Sequence, residues 1–381
     1  MTTETIFANA RVVLADRIVD GSVRATHGRI TAIDEGRSVP AGAIDCDGDY
    51  LLPGLVELHT DNLERHFTPR PKVNWHPAAA VMAHDAQMAA AGITTVFDAV
   101  ACGEVDPGGA RVTNLRAMVD SVRETQARGH LRADHRLHLR CEVSWAAVVE
   151  TFETLADEPL LGIVSLMDHS PGQRQFVRHD EYRTYYMGKF GLTDAQMDEF
   201  TARQIEASAR YSAQHRRIIA ESSRARGLVL AAHDDATLDH VAEATELGAR
   251  FSEFPTTVEA ARAAHRADMK VLMGAPNLVR GGSHSGNVSA GALAEAGCLD
   301  VLSSDYVPIS LMHAVFLLHR GPLEMPLPVA VAKASAAPAA VVGLADRGII
   351  EVARRADLAR VHDTGDAPVI RAVWREGRQI A

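Results

Sequence analysis

Cysteine is scarce in this chain, and the few cysteines are far apart. The four of them, Cys46, Cys102, Cys141 and Cys298, are scattered over 381 residues without a C-x-x-C pair. This spacing suggests neither a zinc ribbon nor a disulfide framework. A chain without a disulfide framework fits a reducing compartment, so we expect a cytoplasmic protein.

A long apolar run and an excess of positive charge are also missing. No stretch reaches the roughly 18 consecutive apolar residues that are typical of a membrane span. The N-terminal residues lack the basic segment and apolar core of a signal peptide. The formal net charge of −10 argues against nucleic acid or an anionic membrane surface as a partner.

The sequence contains two kinds of segment that differ in their residue patterns. Residues 1–50 and 345–381 contain short runs rich in Val, Ile and Thr, separated by Gly-containing turns. Because chain termini often lie close together, these two segments predict one small β-sandwich. In residues 51–344, apolar strand-like runs alternate with helix-like runs rich in Ala, Glu and Arg. This alternation indicates parallel βα units.

The central segment contains enough strand-like runs for a closed barrel. They are LLPGLVELH, ITTVFDAV, RLHLRCEVS, LLGIVSLMDH, GLVLAAHDD, ARFSEFP, KVLMGAP and CLDVLSSD. Such a set predicts an α/β fold with a (β/α)8 TIM-like barrel. An open doubly wound sheet is the alternative, but no G-x-G-x-x-G turn follows the first strand.

The first of these runs ends in two side chains that can bind a metal. In LLPGLVELHTDN, His59 and Asp61 are two residues apart and therefore point to the same side of a β-strand. A buried strand that ends in this way directs both groups toward one shared ligand. If that ligand is a metal ion, further ligand side chains should lie at the same end of the barrel.

Similar side chains follow four other strand-like runs. The carboxyl ends of parallel barrel strands meet at one face, where active sites lie. Imidazole and carboxylate groups together suit zinc or a similar divalent ion. The set is too large for one tetrahedral ion and suits two ions bridged by a carboxylate and a water. The candidate metal ligands are His59, Asp61, Glu142, His169, His233 and Asp305.

Each of these residues has an ordinary structural explanation when it is considered alone. A histidine at a strand end is more often packed or solvated than bound to metal, and this chain has 18 of them. Asp234 and Asp235 precede a helix-like run, and we expect them to cap that helix. Asp168, beside His169, has either a structural or a supporting role. Their joint occurrence at the same end of several strands is what favours a metal site.

The order of the candidate ligands resembles the amidohydrolase superfamily. PGLVELHTD is similar to its opening motif, PG-x-(I/V)-D-x-H-x-H, and the terminal strands match its small β-sandwich. In that pattern the ligands lie on strands one, four, five, six and eight. This sequence departs from it twice, because Asp61 replaces the second histidine and Glu142 stands where many members have a carbamylated lysine.

Longer motifs resemble one subgroup, the α-D-ribose 1-methylphosphonate 5-triphosphate diphosphatases of the carbon–phosphorus lyase pathway. The similar segments lie between Leu51 and Pro308 and include HTDNLERHFTPRP, MDHSPGQRQ, AAHDDAT, MGAPNLVRGGSHSGNVSA and LSSDYVP. The resemblance implies a metal-dependent hydrolase that converts a phosphorylated ribose, this triphosphate, to the 5-phosphate and pyrophosphate. It also implies that Asp305 is catalytic and accepts the proton of the attacking water. A homodimer is the usual assembly to expect.

A Gly-rich loop at residues 274–287 supplies candidate donors for a polyphosphate. Backbone N–H groups of such loops can face an anion, and arginine can bind phosphate through two hydrogen bonds. The candidate substrate-binding residues are Arg280, Ser283, His284, Ser285 and Asn287. Three further cations are expected at the surface, and residues 182–186 either form a lid or pack in a core. These cations are Arg70, Arg174 and Lys189.

Two other functions compete with the diphosphatase. The same metal ligands could serve an amidohydrolase that acts on an amide, a lactone or a deaminase-type substrate. The phosphate donors of the Gly-rich loop weigh against that alternative. A noncatalytic barrel that serves as a binding subunit is the third possibility, but such proteins usually lose metal ligands, and here every ligand position is filled.

Overall fold

The computed structural model describes residues 4–70, 73–104, 110–174, 179–283 and 286–381. The strands are β1 (Glu4–Val13), β2 (Ile18–Thr26), β3 (Arg29–Glu35), β4 (Ile44–Asp45), β5 (Tyr50–Pro53), β6 (Leu55–Thr60), β7 (Ile93–Cys102), β8 (Asp134–Glu142), β9 (Leu161–Met167), β10 (Val229–His233), β11 (Phe251–Glu253), β12 (Lys270–Gly274), β13 (Val301–Ser303), β14 (Leu358–Asp363), β15 (Pro368–Arg375) and β16 (Arg378–Gln379).

The helices mostly lie between the strands of the central segment. They are α1 (Asn62–Phe67), α2 (Pro77–Ala90), α3 (Ala110–Ala127), α4 (Val148–Glu153), α5 (His179–Phe190), α6 (Asp194–Ala207), α7 (Ala213–Ala225), α8 (Leu238–Leu247), α9 (Val258–Arg266), α10 (Ala275–Val279), α11 (Ala290–Glu295), α12 (Ser310–Arg320), α13 (Leu327–Ala332) and α14 (Ala336–Val341). A π-helical segment, Ser208–Ser212, joins α6 to α7.

Strands β6 to β13 form a parallel sheet in which each strand pairs with its neighbour in the chain. The first and last strands also meet. An isolated parallel bridge joins Thr60 to Asp305, and the Asp305 amide donates to the His59 carbonyl at 3.1 Å. The sheet therefore closes into a barrel, which confirms the predicted (β/α)8 architecture and excludes the open doubly wound sheet.

Burial on both faces explains why the barrel strands are continuous apolar runs. All residues of β7 are buried, as expected for a parallel strand covered by helices on one side and by the barrel interior on the other. Val56, Phe97, Ile163 and Phe251 belong to one interior cluster. Other side chains of the strands pack outward against the helices and form two larger clusters.

Local signals set several helix ends on the outer layer. Thr237, Thr257 and Ser289 each accept a hydrogen bond from a backbone N–H in the first turn of α8, α9 and α11. Such caps satisfy donors that the helix itself leaves free. Gly248 ends α8 with φ of 82°, a left-handed conformation that glycine adopts without strain.

Both chain ends contribute to a second sheet. Its order, within the described residues, is β16-β15-β14-β5-β1-β2-β3, with β4 paired to β1. The sheet curls onto itself, because Arg29 bridges to Arg355 and the Ala356 amide donates to the Gly28 carbonyl. Its interior includes Phe7 and Trp374, whose rings are 4.8 Å apart. The prediction that strands from both chain ends join in one β-structure is confirmed.

The division at residues 50/51 and 344/345 stays a prediction. Strand β5 belongs to the terminal sheet and ends at Pro53, directly before β6 of the barrel. Within the described parts of the chain, no helix combines the length and apolar composition that crossing a membrane requires.

An inserted hairpin of two helices, α5 and α6, follows the fourth barrel strand. Tyr182 and Tyr186 are buried there against Met197 and Phe200 and form a small separate core. Core packing is therefore the role of these two tyrosines, rather than the surface of a lid. The tyrosines also contact each other, with ring centroids 4.5 Å apart.

Candidate metal centre

One buried carboxylate orients two histidines at the carboxyl ends of the barrel strands. Glu253, at the end of β11, places Oε1 at 3.0 Å from Nδ1 of His59 and Oε2 at 3.1 Å from Nδ1 of His233. The two rings stack with centroids 5.7 Å apart, and the Phe254 ring packs edge-on against both. This arrangement leaves both Nε2 atoms available as ligands, which is the usual geometry of a metal-binding histidine.

A third histidine is held in the same way by a different carboxylate. Glu142 Oε2 lies 2.6 Å from Nδ1 of His169, and Glu142 Oε1 accepts hydrogen bonds from the Ser144 hydroxyl and the His169 amide. His169 and His233 have ring centroids 5.9 Å apart. Glu142 therefore contacts the imidazole from the side opposite to Nε2, and its own role as a metal ligand stays a prediction.

The acidic residues of the centre follow strands in an unusual backbone conformation. Asp234 and Asp305 have φ of 57° and 52°, in the left-handed region that few residues other than glycine adopt. In each case the backbone N–H bonds to the neighbouring strand, with Asp234 donating to Glu253 and Asp305 to His59. Strained residues of this kind persist where the surrounding structure fixes them, and they cluster at functional sites.

The seam between the first and last strands carries part of the centre. The Asp61 amide donates to the Asp305 carbonyl at 3.2 Å, and the Thr60 hydroxyl donates to the same oxygen at 2.8 Å. Glu57, buried beneath them, accepts from the amides of His59 and Ser304. The strand ends that carry His59, Asp61 and Asp305 are therefore tied together.

Burial shapes the protonation of these groups. It lowers the pKa of His59 well below its usual range and that of His233 to about 3, so both rings are neutral. Burial, together with the charge of Asp61, raises the pKa of Asp305 to about 7. Burial also raises the pKa of Asp234 to about 7. Three carboxylates crowded in one buried place repel one another unless a cation neutralises them.

The donor set fits a divalent cation. His169, His233 and Asp234 bring ligand atoms within 4.8 Å of one another. Asp61 Oδ1 is buried without a hydrogen-bond partner among the described residues, which leaves it free for an ion. Neutral imidazole nitrogens and carboxylate oxygens are the ligands of zinc and similar ions.

The centre opens into a cavity of about 470 Å³. The lining includes five of the six predicted metal ligands, and three of the predicted substrate-binding residues lie on its wall. The polar and charged lining residues are His59, Asp61, Arg140, His169, His233, Asp234, Asn277, Arg280, Ser283, Asn287, Asp305 and Tyr306. The remaining two predicted substrate-binding residues, His284 and Ser285, lie outside the described residues.

Several predictions require correction. Asp234 and Asp235 do not cap α8, because Thr237 does so through its hydroxyl. Asp234 faces the cavity instead, and Asp235 forms a buried ion pair with Arg174. Arg174 is only 3% exposed and is therefore not the surface cation expected from the sequence.

Arg70 and Lys189 are the other cations expected at the surface. Arg70 is exposed, as expected, and forms an isolated β-bridge with Val73. The side chain of Lys189 lies outside the described residues. Asp168 accepts hydrogen bonds from the hydroxyls of Ser208 and Ser212, so the π-helical segment supports the loop that carries His169.

The strand positions differ from those that the resemblance implied. Glu142 ends the third barrel strand, His169 follows the fourth, and His233 ends the fifth. Each lies one strand earlier than in the superfamily pattern given above. The sixth strand carries Glu253, which orients histidines from behind.

Two residues of the site, Glu253 and Arg140, were not predicted from the sequence. The run HLRCE on β8 places His138, Arg140 and Glu142 on one face by alternation, which was the available signal for Arg140. For Glu253, the acidic residue at the end of ARFSE was the corresponding signal.

No family model matches this chain. The α-D-ribose 1-methylphosphonate 5-triphosphate diphosphatase of Escherichia coli (strain K12) is 50% identical over 376 residues, which cover 98% of this chain and 100% of the relative.

Solved structures share the fold at low sequence identity. N-acetylglucosamine-6-phosphate deacetylase from Pasteurella multocida superposes with a TM-score of 0.63 at 13% identity, covering 99% of each chain. Dihydropyrimidinase from Brevibacillus agri NCHU1002 gives 0.62 at 14% identity, covering 99% of this chain and 95% of that one. An amidohydrolase structure gives 0.63 at 15% identity, covering 99% of this chain and 98% of that one. At such identities these likenesses concern the fold alone.

Proposed function

The chain belongs to the α-D-ribose 1-methylphosphonate 5-triphosphate diphosphatase family, and on this premise we propose that it is an amidohydrolase-superfamily enzyme that hydrolyses that triphosphate to the 5-phosphate and pyrophosphate. The observation that carries the proposal is the 50% identity to the Escherichia coli enzyme over 98% of this chain and 100% of the relative. The cavity supports it, because metal-ligand side chains and phosphate donors line the same space.

The metal would be held at the floor of the cavity. We assign His59, Asp61, His169, His233 and Asp305 as ligands, together with Asp234, whose ligand atom lies within 4.8 Å of those of His169 and His233. Glu142, which contacts Nδ1 of His169, is the further carboxylate that we propose for the centre. When bound, a divalent ion supplies positive charge for the phosphoryl oxygens and lowers the pKa of the attacking water. Zinc suits this set of ligands best, with one or two ions per chain.

Asp305 receives the proton of the attacking water. Its backbone is fixed at the seam by bonds to the first barrel strand, so its carboxylate faces the cavity at a constant position. The water oxygen adds to the α phosphorus, the bond from this phosphorus to the α–β bridging oxygen breaks, and pyrophosphate leaves with that oxygen. A carboxylate within reach of the water is the usual general base for such a step.

The outer part of the cavity binds the polyphosphate and the sugar. Arg280 is exposed at the rim, and Ser283 and Asn287 are partly buried beside it. We assign these residues, with His284 and Ser285 of the same loop, to substrate binding. Arginine and hydroxyl donors match phosphate oxygens, which an amide, lactone or deaminase substrate would not require. The amidohydrolase alternative is therefore not favoured.

The setting of the enzyme follows from its substrate. A phosphorylated ribose is a small cytoplasmic metabolite, so we propose a cytoplasmic enzyme without a nucleic-acid or membrane partner. A homodimer is the assembly we propose, since two-fold dimers are the commonest oligomers.

A direct assay tests the function. The purified protein is analysed for bound metal and then incubated with the phosphonate ribose triphosphate, with ATP, and with representative amide and lactone substrates. We expect bound divalent metal and pyrophosphate release that is fastest with the phosphonate ribose triphosphate. A metal-loaded protein that releases no pyrophosphate from it would refute the proposal.

A further inference from the structure

Arg140 brings a guanidinium group to the wall of the cavity, close to the metal centre. It lies on β8 between His138 and Glu142, and strand alternation places these three side chains on the inner face. Leu139 and Cys141, on the other face, pack with the outer core. The Arg140 side chain is 11% exposed, so its charge is largely removed from solvent.

No described residue satisfies this guanidinium. The Arg140 side chain donates no hydrogen bond within the described parts of the chain, and its Nε is buried without a partner. Its ion pair with Asp61 is loose, at 3.9 Å between Nη1 and Oδ2, which is beyond hydrogen-bond distance. A guanidinium offers five N–H donors, and leaving buried donors unpaired costs free energy.

Two other buried arginines show the contrast. Arg174 bonds to Asp235 and Glu243, and Arg216 bonds to Asp168. Both therefore have carboxylate partners within the fold. The carboxylate paired with Arg140, that of Asp61, is 3.9 Å away and is not hydrogen-bonded to it, so the donors of Arg140 remain available to a ligand.

We propose that Arg140 binds the phosphoryl group under attack, with two N–H donors on its non-bridging oxygens. This inference rests on the proposed function. Arg140 and Arg280 are the arginines among the described residues that line the cavity, and only Arg140 is buried beside the ligand Asp61. The phosphate at the metal centre is the one that reacts, so Arg140 contacts that phosphate and Arg280 contacts the polyphosphate nearer the rim.

Negative charge develops on the oxygens of the reacting phosphate during the step. Arg140 contacts these oxygens and is therefore a catalytic residue. Fixed donors at developing charge act strongly in a site that excludes water. A purely electrostatic role is the competing explanation, in which Arg140 only offsets the carboxylates of Asp61, Asp234 and Asp305. That role would affect metal affinity, because removing a cation from beside the ligands strengthens their hold on a metal ion.

The test compares Arg140→Met, which removes the charge, with Arg140→Lys, which keeps it without the planar fork. Arg37→Gln, at an exposed position in the loop after β3, is the matched control. We expect kcat for pyrophosphate release to fall by about 10²–10³-fold in Arg140→Met, the range for loss of one such donor. Arg140→Lys should fall less, because it retains a point charge but not the bidentate geometry.

Calorimetry provides a second readout. Inorganic phosphate stands for the phosphoryl group under attack, which stays on the ribose. It should bind the zinc-loaded Arg140→Met protein at least about tenfold more weakly than the zinc-loaded wild type, since one charge-assisted contact is lost. Tighter zinc binding with unchanged phosphate affinity and unchanged kcat would overturn the inference in favour of the electrostatic role. Wild-type turnover is measured first, and a wild type that releases no pyrophosphate overturns the proposed function and this inference with it.

Discussion

Glu253 bonds to two histidines at once, with one carboxylate oxygen on each Nδ1 atom. Both of these histidines are therefore fixed with Nε2 directed to the metal centre. An amide in place of the carboxylate can accept a hydrogen bond from only one of them. The orientation of the second ring then depends only on its packing against Phe254 and the neighbouring histidine rings.

We predict that Glu253→Gln lowers metal affinity by about 10–100-fold, the usual cost of losing a carboxylate that supports a metal-binding histidine. Competition with a chromogenic chelator measures the affinity. Glu246→Gln, an exposed position on α8, is the matched control. Equal metal affinity in both variants would contradict the role assigned to Glu253.

We also predict that His59→Asn and Asp305→Ala each lower turnover by more than about 100-fold, the upper range for loss of a residue that merely supports a ligand. His59 is a proposed ligand, and Asp305 is both a proposed ligand and the proton acceptor. Circular dichroism should show an unchanged fold. His130→Asn, at an exposed position, is the control, and full activity in either site variant would refute the assignment.

At the scale of elements, a buried charge network joins α2 to β7 and β8. Asp98 accepts from His84 at 2.7 Å and from His135 at 2.8 Å, and His135 also contacts Asp85 at 3.3 Å. His84 in turn contacts Asn62, the residue after Asp61. The network therefore reaches from the outer layer of the barrel to the first helix beside the metal centre.

This network predicts a loss of stability in alkali. Burial by itself lowers the pKa of His135, but Asp98 and Asp85 outweigh it and raise that pKa from 6.5 to about 9. The stabilisation is therefore complete below about pH 6.5 and is lost as the pH rises through 9. The pKa shift corresponds to roughly 3 kcal/mol of unfolding free energy.

Urea unfolding at pH 6 to 9 measures this loss, with His135→Gln as the comparison. The variant is less stable at pH 6, and its unfolding free energy should vary less with pH across this interval. Parallel pH profiles for the two proteins would show that His135 does not carry the effect.

The sequence predicted the strands and helices better than it predicted which side chains contact one another. Apolar runs bounded by helix-like segments located the barrel strands, because burial on both faces gives them a distinct composition. His59 and Asp305 were identified because they follow such runs. The role of Glu253 depends on which strands face each other inside the barrel, and sequence spacing does not contain that distance.

Asp234 illustrates a second limit. An aspartate between a strand and a helix has the same local pattern whether it caps the helix or faces a cavity. Its left-handed backbone, which turns it toward the cavity, results from a bond to the neighbouring strand at Glu253. The terminal sheet was predictable as a union of both ends, whereas its strand order depends on long-range pairing.

At the scale of the whole molecule, the metal centre and the closure of the barrel share the same residues. A bound ion would hold β6 and β13 together in addition to the hydrogen bonds at Thr60 and Asp305. Ion binding to the folded state alone stabilises it by about 4 kcal/mol at a thousandfold excess over Kd.

We therefore predict that a chelator lowers the melting temperature and that added zinc restores it. Hydrogen exchange should increase first at the ends of β6 and β13, where the ion and the seam coincide. The terminal sheet, which contains none of the proposed ligands, serves as the internal control. Uniform acceleration of exchange across both sheets would contradict this localisation.

The position of Asp305 also has a consequence for biosynthesis. His59 emerges from the ribosome early, but its partner across the seam is translated 246 residues later. A nascent polypeptide that stops before this aspartate has neither a completed barrel nor a full set of donors. We therefore expect that no activity precedes the synthesis of Asp305 and that products truncated before the last barrel strand are inert toward the substrate.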